Sequence, residues 1–101
     1  MSKVRVEVLP ALAESLGIDS TSEEVISGPE IGEGGSVRSL LNRLGDRHHR
    51  FRQIVFDSTA QRLSGRVVIF LNGRDLELVD GLETKLNDGD ALTLVPFIEG
   101  G

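Results

Sequence analysis

A run of five apolar residues followed by a turn signal is the strongest constraint on the fold of this 101-residue chain. Residues 67–71 read Val-Val-Ile-Phe-Leu, which has the length and the β-branched composition of a strand. Because no polar residue interrupts the run, we expect a central strand that is buried on both faces. Asn72-Gly73 follows directly, and this pair favours a type I′ turn, whose two central residues both need positive φ. The sequence therefore predicts a hairpin that returns along residues 76–79.

Strand patterns also stand towards both ends of the chain. Residues 3–9 carry valine at every second position, which predicts a half-buried strand that ends at Pro10. Val25-Ile26 suggests a short second strand, and the glycine-rich stretch after it predicts a loop. Asp88-Gly89 is a second turn signal, and residues 91–95 predict the last strand.

One helix is predicted clearly. After Ser36, which is placed to cap the helix, apolar residues recur at i, i+3, i+4 and i+7: Val37, Leu40, Leu41 and Leu44. We expect Gly45 to end this helix. Shorter helical patterns cover residues 11–16, which Gly17 should end, and a segment that begins near His48. Strands on both sides of one main helix predict an α+β fold, a mixed sheet of about five strands with the helix packed across it.

Charge is segregated along the chain. The net charge is −5, yet residues 36–66 hold seven arginines against two acids, whereas residues 1–35 and 67–101 each hold two basic residues against seven acids. A solvated surface and a field that steers a partner both explain this division. The overall acidity disfavours a nucleic-acid partner, since phosphates attract basic surfaces. The length suits one domain, and no apolar run approaches the roughly 20 residues that span a membrane, so we expect a cytoplasmic protein without a membrane partner.

The interior of the sequence offers no catalytic or metal-binding pattern. His48-His49 holds both histidines, and adjacent helical residues point in different directions, so without cysteine no metal site is expected. Glu23-Glu24 and residues 88–90 carry carboxylates in loop-like contexts, where solubility and turn formation explain them. Residues 32–35 are glycine-rich, but no Lys-Ser or Lys-Thr follows to form a phosphate-binding loop. No serine lies in a G-x-S-x-G elbow either, so we do not expect an enzyme.

The C-terminal residues, Val-Pro-Phe-Ile-Glu-Gly-Gly, are the remaining candidate. Glycine lacks Cβ, so a Gly100-Gly101 end can lie extended in a narrow channel of a partner protein. Residues 96–101 span roughly 20 Å at about 3.3–3.6 Å each, enough to carry the Gly101 carboxylate into a partner's nucleotide site. Phe97 and Ile98 are expected to anchor the edge of a partner interface, or Phe97 folds back onto the core. We divide the chain into a domain of residues 1–96 and a flexible tail of residues 97–101.

Several segments together resemble the MoaD/ThiS family, which comprises the small subunit of molybdopterin synthase and the sulfur carrier of the thiamine pathway. The resemblance covers nearly all of the chain. It rests on the opening strand, the start of the main helix, the Asn-Gly hairpin, a segment before the last strand and the terminal glycines, which are residues 4–8, 35–41, 67–73, 84–90 and 100–101. Phe97 and Ile98 stand where the molybdopterin members often have the second proline and the valine of a Pro-Pro-Val-x-Gly-Gly tail.

The resemblance implies a ubiquitin-like β-grasp fold and a carrier rather than an enzyme. It implies that a ubiquitin-activating-enzyme-like adenylyltransferase uses ATP to adenylate the Gly101 carboxylate. A sulfur donor protein then converts the acyl-adenylate to a thiocarboxylate, and a large synthase subunit receives that sulfur in molybdopterin biosynthesis. No bound cofactor is implied, because the adenylate and the thiocarboxylate are transient states of Gly101.

Other functions remain open at this level. The same sulfur chemistry serves tungstopterin or thiamine synthesis. The same activated Gly101 also forms isopeptide bonds with target lysines in a ubiquitin-like protein modifier. A third alternative is a β-grasp interaction module in which the terminal glycines have no role.

Overall fold

A computed structural model describes residues 3–25, 35–79 and 81–97, and the structural statements that follow concern these residues. The elements in chain order are β1 (Lys3–Val8), α1 (Pro10–Leu16), β2 (Thr21–Val25), α2 (Val37–Arg47), α3 (His49–Ile54), β3 (Phe56–Asp57), β4 (Arg62–Leu63), β5 (Val67–Leu71), β6 (Arg74–Asp75) and β7 (Ala91–Pro96). Two 3₁₀ turns, Leu76–Leu78 and Gly81–Glu83, lie between β6 and β7.

The main sheet has five strands in the order β2-β1-β7-β5-β6. Its central strand, β7, is parallel to β1, with Val6 opposite Leu92, and antiparallel to β5, with Ile69 opposite Leu94. The short strands β3 and β4 form a separate antiparallel pair. A mixed five-stranded sheet with one main helix confirms the predicted α+β fold.

The hydrophobic core lies between the sheet and the helices. The inward residues of β1, β5 and β7 are buried together with the apolar face of α2, namely Val4, Val6, Val8, Val67, Ile69, Leu71, Leu92, Leu94, Val37, Leu40, Leu41 and Leu44. Phe51 and Phe56 are also almost completely buried, so the segment between α2 and β5 contributes to the same core. Within the described ranges, no helix is long and apolar enough to cross a bilayer.

The prediction that β5 is central and buried on both faces is wrong. Burial alternates along β5, since Val67, Ile69 and Leu71 are buried whereas Val68 and Phe70 are only half-buried. The strand lies one position from the edge of the sheet, and β7 occupies the centre. The core lies against one face of the sheet, so an uninterrupted apolar run does not require burial on both faces.

The predicted turn after β5 is confirmed, but the predicted return strand is wrong. Asn72 and Gly73 have φ of 52° and 82°, as a type I′ turn requires. The return strand consists only of Arg74–Asp75, and residues 76–78 form a 3₁₀ turn. The cause is local, because an Asp75 carboxylate oxygen accepts the Glu77 backbone N–H at 2.9 Å and turns the chain away from the ladder.

Three of the helix boundaries lie where the sequence predicts them, whereas the second strand differs. Ser36 caps α2, since its Oγ accepts the Ser39 backbone N–H at 3.2 Å. Gly17 ends α1 with a left-handed φ of 71°, and α3 begins at the predicted place. A second strand is present, but it covers Thr21–Val25 and so begins earlier than predicted, whereas Ile26 lies outside the described residues. Glu23 and Glu24, which were expected in a loop, belong to this strand.

Gly45 does not end α2, which continues to Arg47. The glycine is buried inside the helix, and a Cβ at this position would lie 2.7 Å from Cγ of Arg52. The absence of a side chain therefore lets the stem of Arg52, which comes from α3, lie against α2. Gly45 therefore allows two helices to approach closely and does not end α2.

We expect the effect of Gly45→Ala on stability to depend on Arg52. Glycine inside a helix costs about 1 kcal/mol relative to alanine, so the substitution alone favours the folded state. When Arg52 is present, the new Cβ displaces the stem of the arginine, and we expect the free energy of unfolding to stay the same or to fall. In an Arg52→Ala background, we expect Gly45→Ala to raise the free energy of unfolding. Urea unfolding of the four proteins measures this coupling, and an equal gain in both backgrounds would contradict it.

Candidate functional site at the end of the central strand

Strand β7 leads directly into Phe97, the first residue of the predicted tail, which is called the base of the tail below. Pro96 lies opposite Val67, and the Phe97 backbone N–H donates a hydrogen bond of 2.8 Å to the carbonyl oxygen of Arg66. Because β7 is paired on both sides, the position of residue 97 is set by the centre of the sheet rather than by a loop. The other proposed site residues, Ile98, Gly100 and Gly101, lie outside the described residues. The division into residues 1–96 and 97–101 therefore stays a prediction.

Phe97 lies at the surface and lines an apolar concavity. The residue is 55% exposed and is not part of the hydrophobic core. It lines a concavity of about 230 Å³ together with apolar residues that include Leu63, Val68 and Leu76. Asp75 and Glu77 also line this space. Of the two roles expected for Phe97, the exposed position fits an anchor for a partner and does not fit a cap on the core.

A second concavity, lined by arginines, adjoins the first. Arg52, Arg62 and Arg66 all line it, and it shares Leu63 and Gly65 with the apolar concavity. Sequence reasoning recognised the excess of arginine in residues 36–66 but singled out none of these three. They come from α3, from β4 and from the residue before β5, so only the packing of these elements brings them together.

The carboxylates near the Asp88-Gly89 turn have structural roles. An Asp88 carboxylate oxygen accepts the Lys3 backbone N–H at 2.8 Å. Those of Asp90 accept the side-chain amide of Asn72 at 3.0 Å and the Asn87 backbone N–H at 2.7 Å. These bonds agree with the turn role expected for residues 88–90. In the described ranges, no three His, Cys, Asp or Glu side chains are grouped so as to hold a metal ion.

A parallel pair of terminal strands at the centre of a mixed sheet, with one main helix across it, defines a ubiquitin-like β-grasp domain. The model of the ThiS family matches residues 12–101, and the chain belongs to this family. The family comprises sulfur carriers and related ubiquitin-like modifiers.

One relative and two solved structures illustrate this membership. A protein of Archaeoglobus fulgidus named "Putative sulfur carrier protein" is 44% identical over 39 residues, which are 39% of this chain and 44% of that protein. The matched segment thus spans less than half of that relative. The small archaeal modifier protein 1 of Methanosarcina acetivorans is 27% identical with a TM-score of 0.75, covering 100% of this chain and 98% of its own. The Pyrococcus furiosus structure named "Putative molybdopterin converting factor, subunit 1" is 27% identical with a TM-score of 0.68, covering 97% and 100%.

The exposure of Phe97 predicts that it contributes little to folding. We expect Phe97→Ala to lower the free energy of unfolding by less than about 1 kcal/mol, as is usual for surface positions. The matched control is Phe56→Ala, which removes a ring that is 1% exposed and should cost about 3–5 kcal/mol. Urea unfolding monitored by circular dichroism measures both values. Equal losses in the two variants would show that Phe97 belongs to the core.

Proposed function

We propose that this chain is a sulfur carrier whose Gly101 carboxylate is adenylated and then converted to a thiocarboxylate. The observation that carries the proposal is the family match, which extends through residue 101 and so includes Gly100 and Gly101. The relative named as a sulfur carrier supports the same chemistry. The proposed catalytic groups belong to partner enzymes, and the chain itself carries the sulfur.

The chemistry starts from the poor reactivity of a carboxylate towards nucleophiles. In the proposed first step, an oxygen of the Gly101 carboxylate attacks the α-phosphorus of ATP on an adenylyltransferase, and pyrophosphate leaves. In the second step, a sulfide equivalent from a sulfur donor protein attacks the acyl carbon, and AMP leaves. The product is a thiocarboxylate, in which one oxygen of Gly101 has been replaced by sulfur. The absence of cysteine from the chain leaves no internal thiol to intercept the acyl-adenylate.

The anchored base of the tail suits this role. The Phe97 N–H bonds to Arg66 at the end of the central strand, and four residues follow to Gly101. Gly100 and Gly101 present no side chain, so a partner's backbone can approach the reacting carboxylate closely. The exposed Phe97 ring and Ile98 are proposed to contact the same partner.

Within the family, we place the chain in molybdopterin biosynthesis, as the small subunit that donates its sulfur to a precursor held by a large synthase subunit. The similarity to the structure named as a molybdopterin converting factor, which covers 97% of this chain, supports this placement. Deletion of the gene from its host should abolish molybdopterin and leave growth without thiamine intact. A requirement for thiamine with normal molybdopterin would assign the chain to the thiamine pathway instead.

Intact mass spectrometry of the chain isolated from its host tests the carrier chemistry. We expect a population whose mass is raised by the exchange of one oxygen for one sulfur at Gly101. A variant that lacks Gly101 should lose this population, whereas Leu78→Ala, which alters an exposed residue next to β6, should keep it. Absence of the heavier species from the unaltered chain, under conditions in which its host makes molybdopterin, would contradict the proposal.

A protein modifier is the second candidate function, and the full-length similarity to a small archaeal modifier protein favours it. In this role, the ε-amine of a target lysine attacks the activated Gly101 and forms an isopeptide bond. Trypsin does not leave a Gly-Gly remnant from this chain, because Lys85 is its last basic residue. Glu99→Arg introduces a cleavage site directly before the glycines. Gly-Gly-modified lysines in digests from cells with this variant, absent when Gly101 is deleted, would establish conjugation.

A further inference from the structure

The arginine-lined concavity is formed by α3, β4 and the residues before β5, and hydrogen bonds connect these segments. Ser64 makes the connection, because its hydroxyl donates to the Ile54 carbonyl oxygen and accepts the Arg66 backbone N–H at 3.1 Å. The Ser64 backbone N–H donates a further bond of 2.9 Å to the Val55 carbonyl. The end of α3 and the segment between β4 and β5 are therefore held in a defined relation. The stem of Arg52 lies against Gly45, which limits where its guanidinium group can lie.

The three guanidinium groups of this concavity are exposed and free of partners in the described part of the chain. Neither a hydrogen bond nor an ion pair from the side chain of Arg52, Arg62 or Arg66 is found there. Arg38 behaves differently, since its Nε donates to a Glu83 carboxylate oxygen at 2.7 Å. Three arginines without a carboxylate partner among the described residues thus line one concavity.

The concavity keeps a positive charge despite one acidic residue in its lining. Asp57 is the carboxylate among the residues that line it. One of its oxygens accepts the backbone N–H groups of Thr59 and Ala60 at 2.9 and 3.1 Å, so this side chain is engaged by the turn between β3 and β4. Three arginines against one carboxylate leave a site for anions on a chain whose net charge is −5.

The neighbourhood of the concavity indicates which anion fits. It continues into the apolar concavity through Leu63 and Gly65, and Arg66 carries the carbonyl that holds the base of the tail. An occupant therefore meets planar guanidinium groups, which bind carboxylates through two parallel hydrogen bonds, beside a concavity whose apolar lining also carries Asp75 and Glu77. A protein segment whose acidic residues meet the arginines and whose apolar residues meet the apolar lining matches both parts. A nucleic acid matches less well, because its continuous phosphate charge would also face the acidic remainder of the chain.

We propose that Arg52, Arg62 and Arg66 form a docking surface for an acidic segment of a partner protein. A partner bound here lies next to Phe97 and therefore beside the base of the tail. The charge of this surface attracts the partner and sets its orientation, while Phe97 and the adjoining concavity supply apolar contact. Binding at these three arginines does not depend on which reaction Gly101 undergoes.

Nuclear magnetic resonance of the full chain with a defined probe tests the proposal. A twelve-residue polyglutamate peptide is titrated into the labelled chain at about 50 mM NaCl, where surface charges are weakly screened. We expect saturable amide shifts centred on residues 52 and 62–66, and loss of these shifts at high salt. Reversal of all three charges (R52E/R62E/R66E) should weaken binding by about tenfold or more, since the groups form one site.

The matched control changes the net charge equally at other exposed basic residues (R5E/R74E/K85E), and its affinity should lie much closer to that of the unaltered chain. If the first triple variant does not fold, Arg62→Glu alone is compared with Arg74→Glu. Three results would overturn the proposal: largest shifts outside the concavity, equal weakening in site and control variants, or tighter binding of a twelve-nucleotide oligouridylate than of the peptide at the same residues.

Discussion

The pairing of β7 between β1 and β5 determines how the other elements of the domain are arranged. It buries Leu92 and Leu94 completely and joins the first strand of the chain to the last third. A parallel pair cannot be closed by a tight turn, so the long intervening chain must cross the core. Helix α2 lies in that connection, and its apolar residues belong to the same core as Leu92 and Leu94. The ladder to β5 also fixes where Phe97 leaves the sheet, and therefore where any tail chemistry begins.

The segment between α2 and β5 contributes both to the core and to the basic surface. Phe51 and Phe56 anchor it in the core, and Ser64 joins the end of α3 to the residue before β5. Its arginines remain outside, and three of them line one concavity beside the base of the tail. The same packing that buries the aromatic rings thus creates a basic surface on an acidic chain. Phe97 and the proposed docking surface lie next to one another for this reason.

Features governed by neighbouring residues could be predicted from the sequence. The cap at Ser36, the left-handed end of α1 at Gly17 and the turn at Asn72 depend on a few adjacent residues. Gly45 was misread because a glycine signals a helix end only when nothing else requires its missing side chain. The stem of Arg52 supplies that requirement from another helix. The end of β6 was missed because a single Asp75 hydrogen bond outweighs an apolar pattern over residues 76–79.

Periodicity, capping and terminal residues are local properties, so the fold class, the main helix and the family resemblance could be recognised from the residues alone. The central position of β7 could not, because strand order follows from how hydrophobic faces combine around one core. The exposure of Phe97 and the shared surface of Arg52, Arg62 and Arg66 likewise result from packing. Residues 14 positions apart in the chain become neighbours through packing, and no local pattern of residues encodes that proximity.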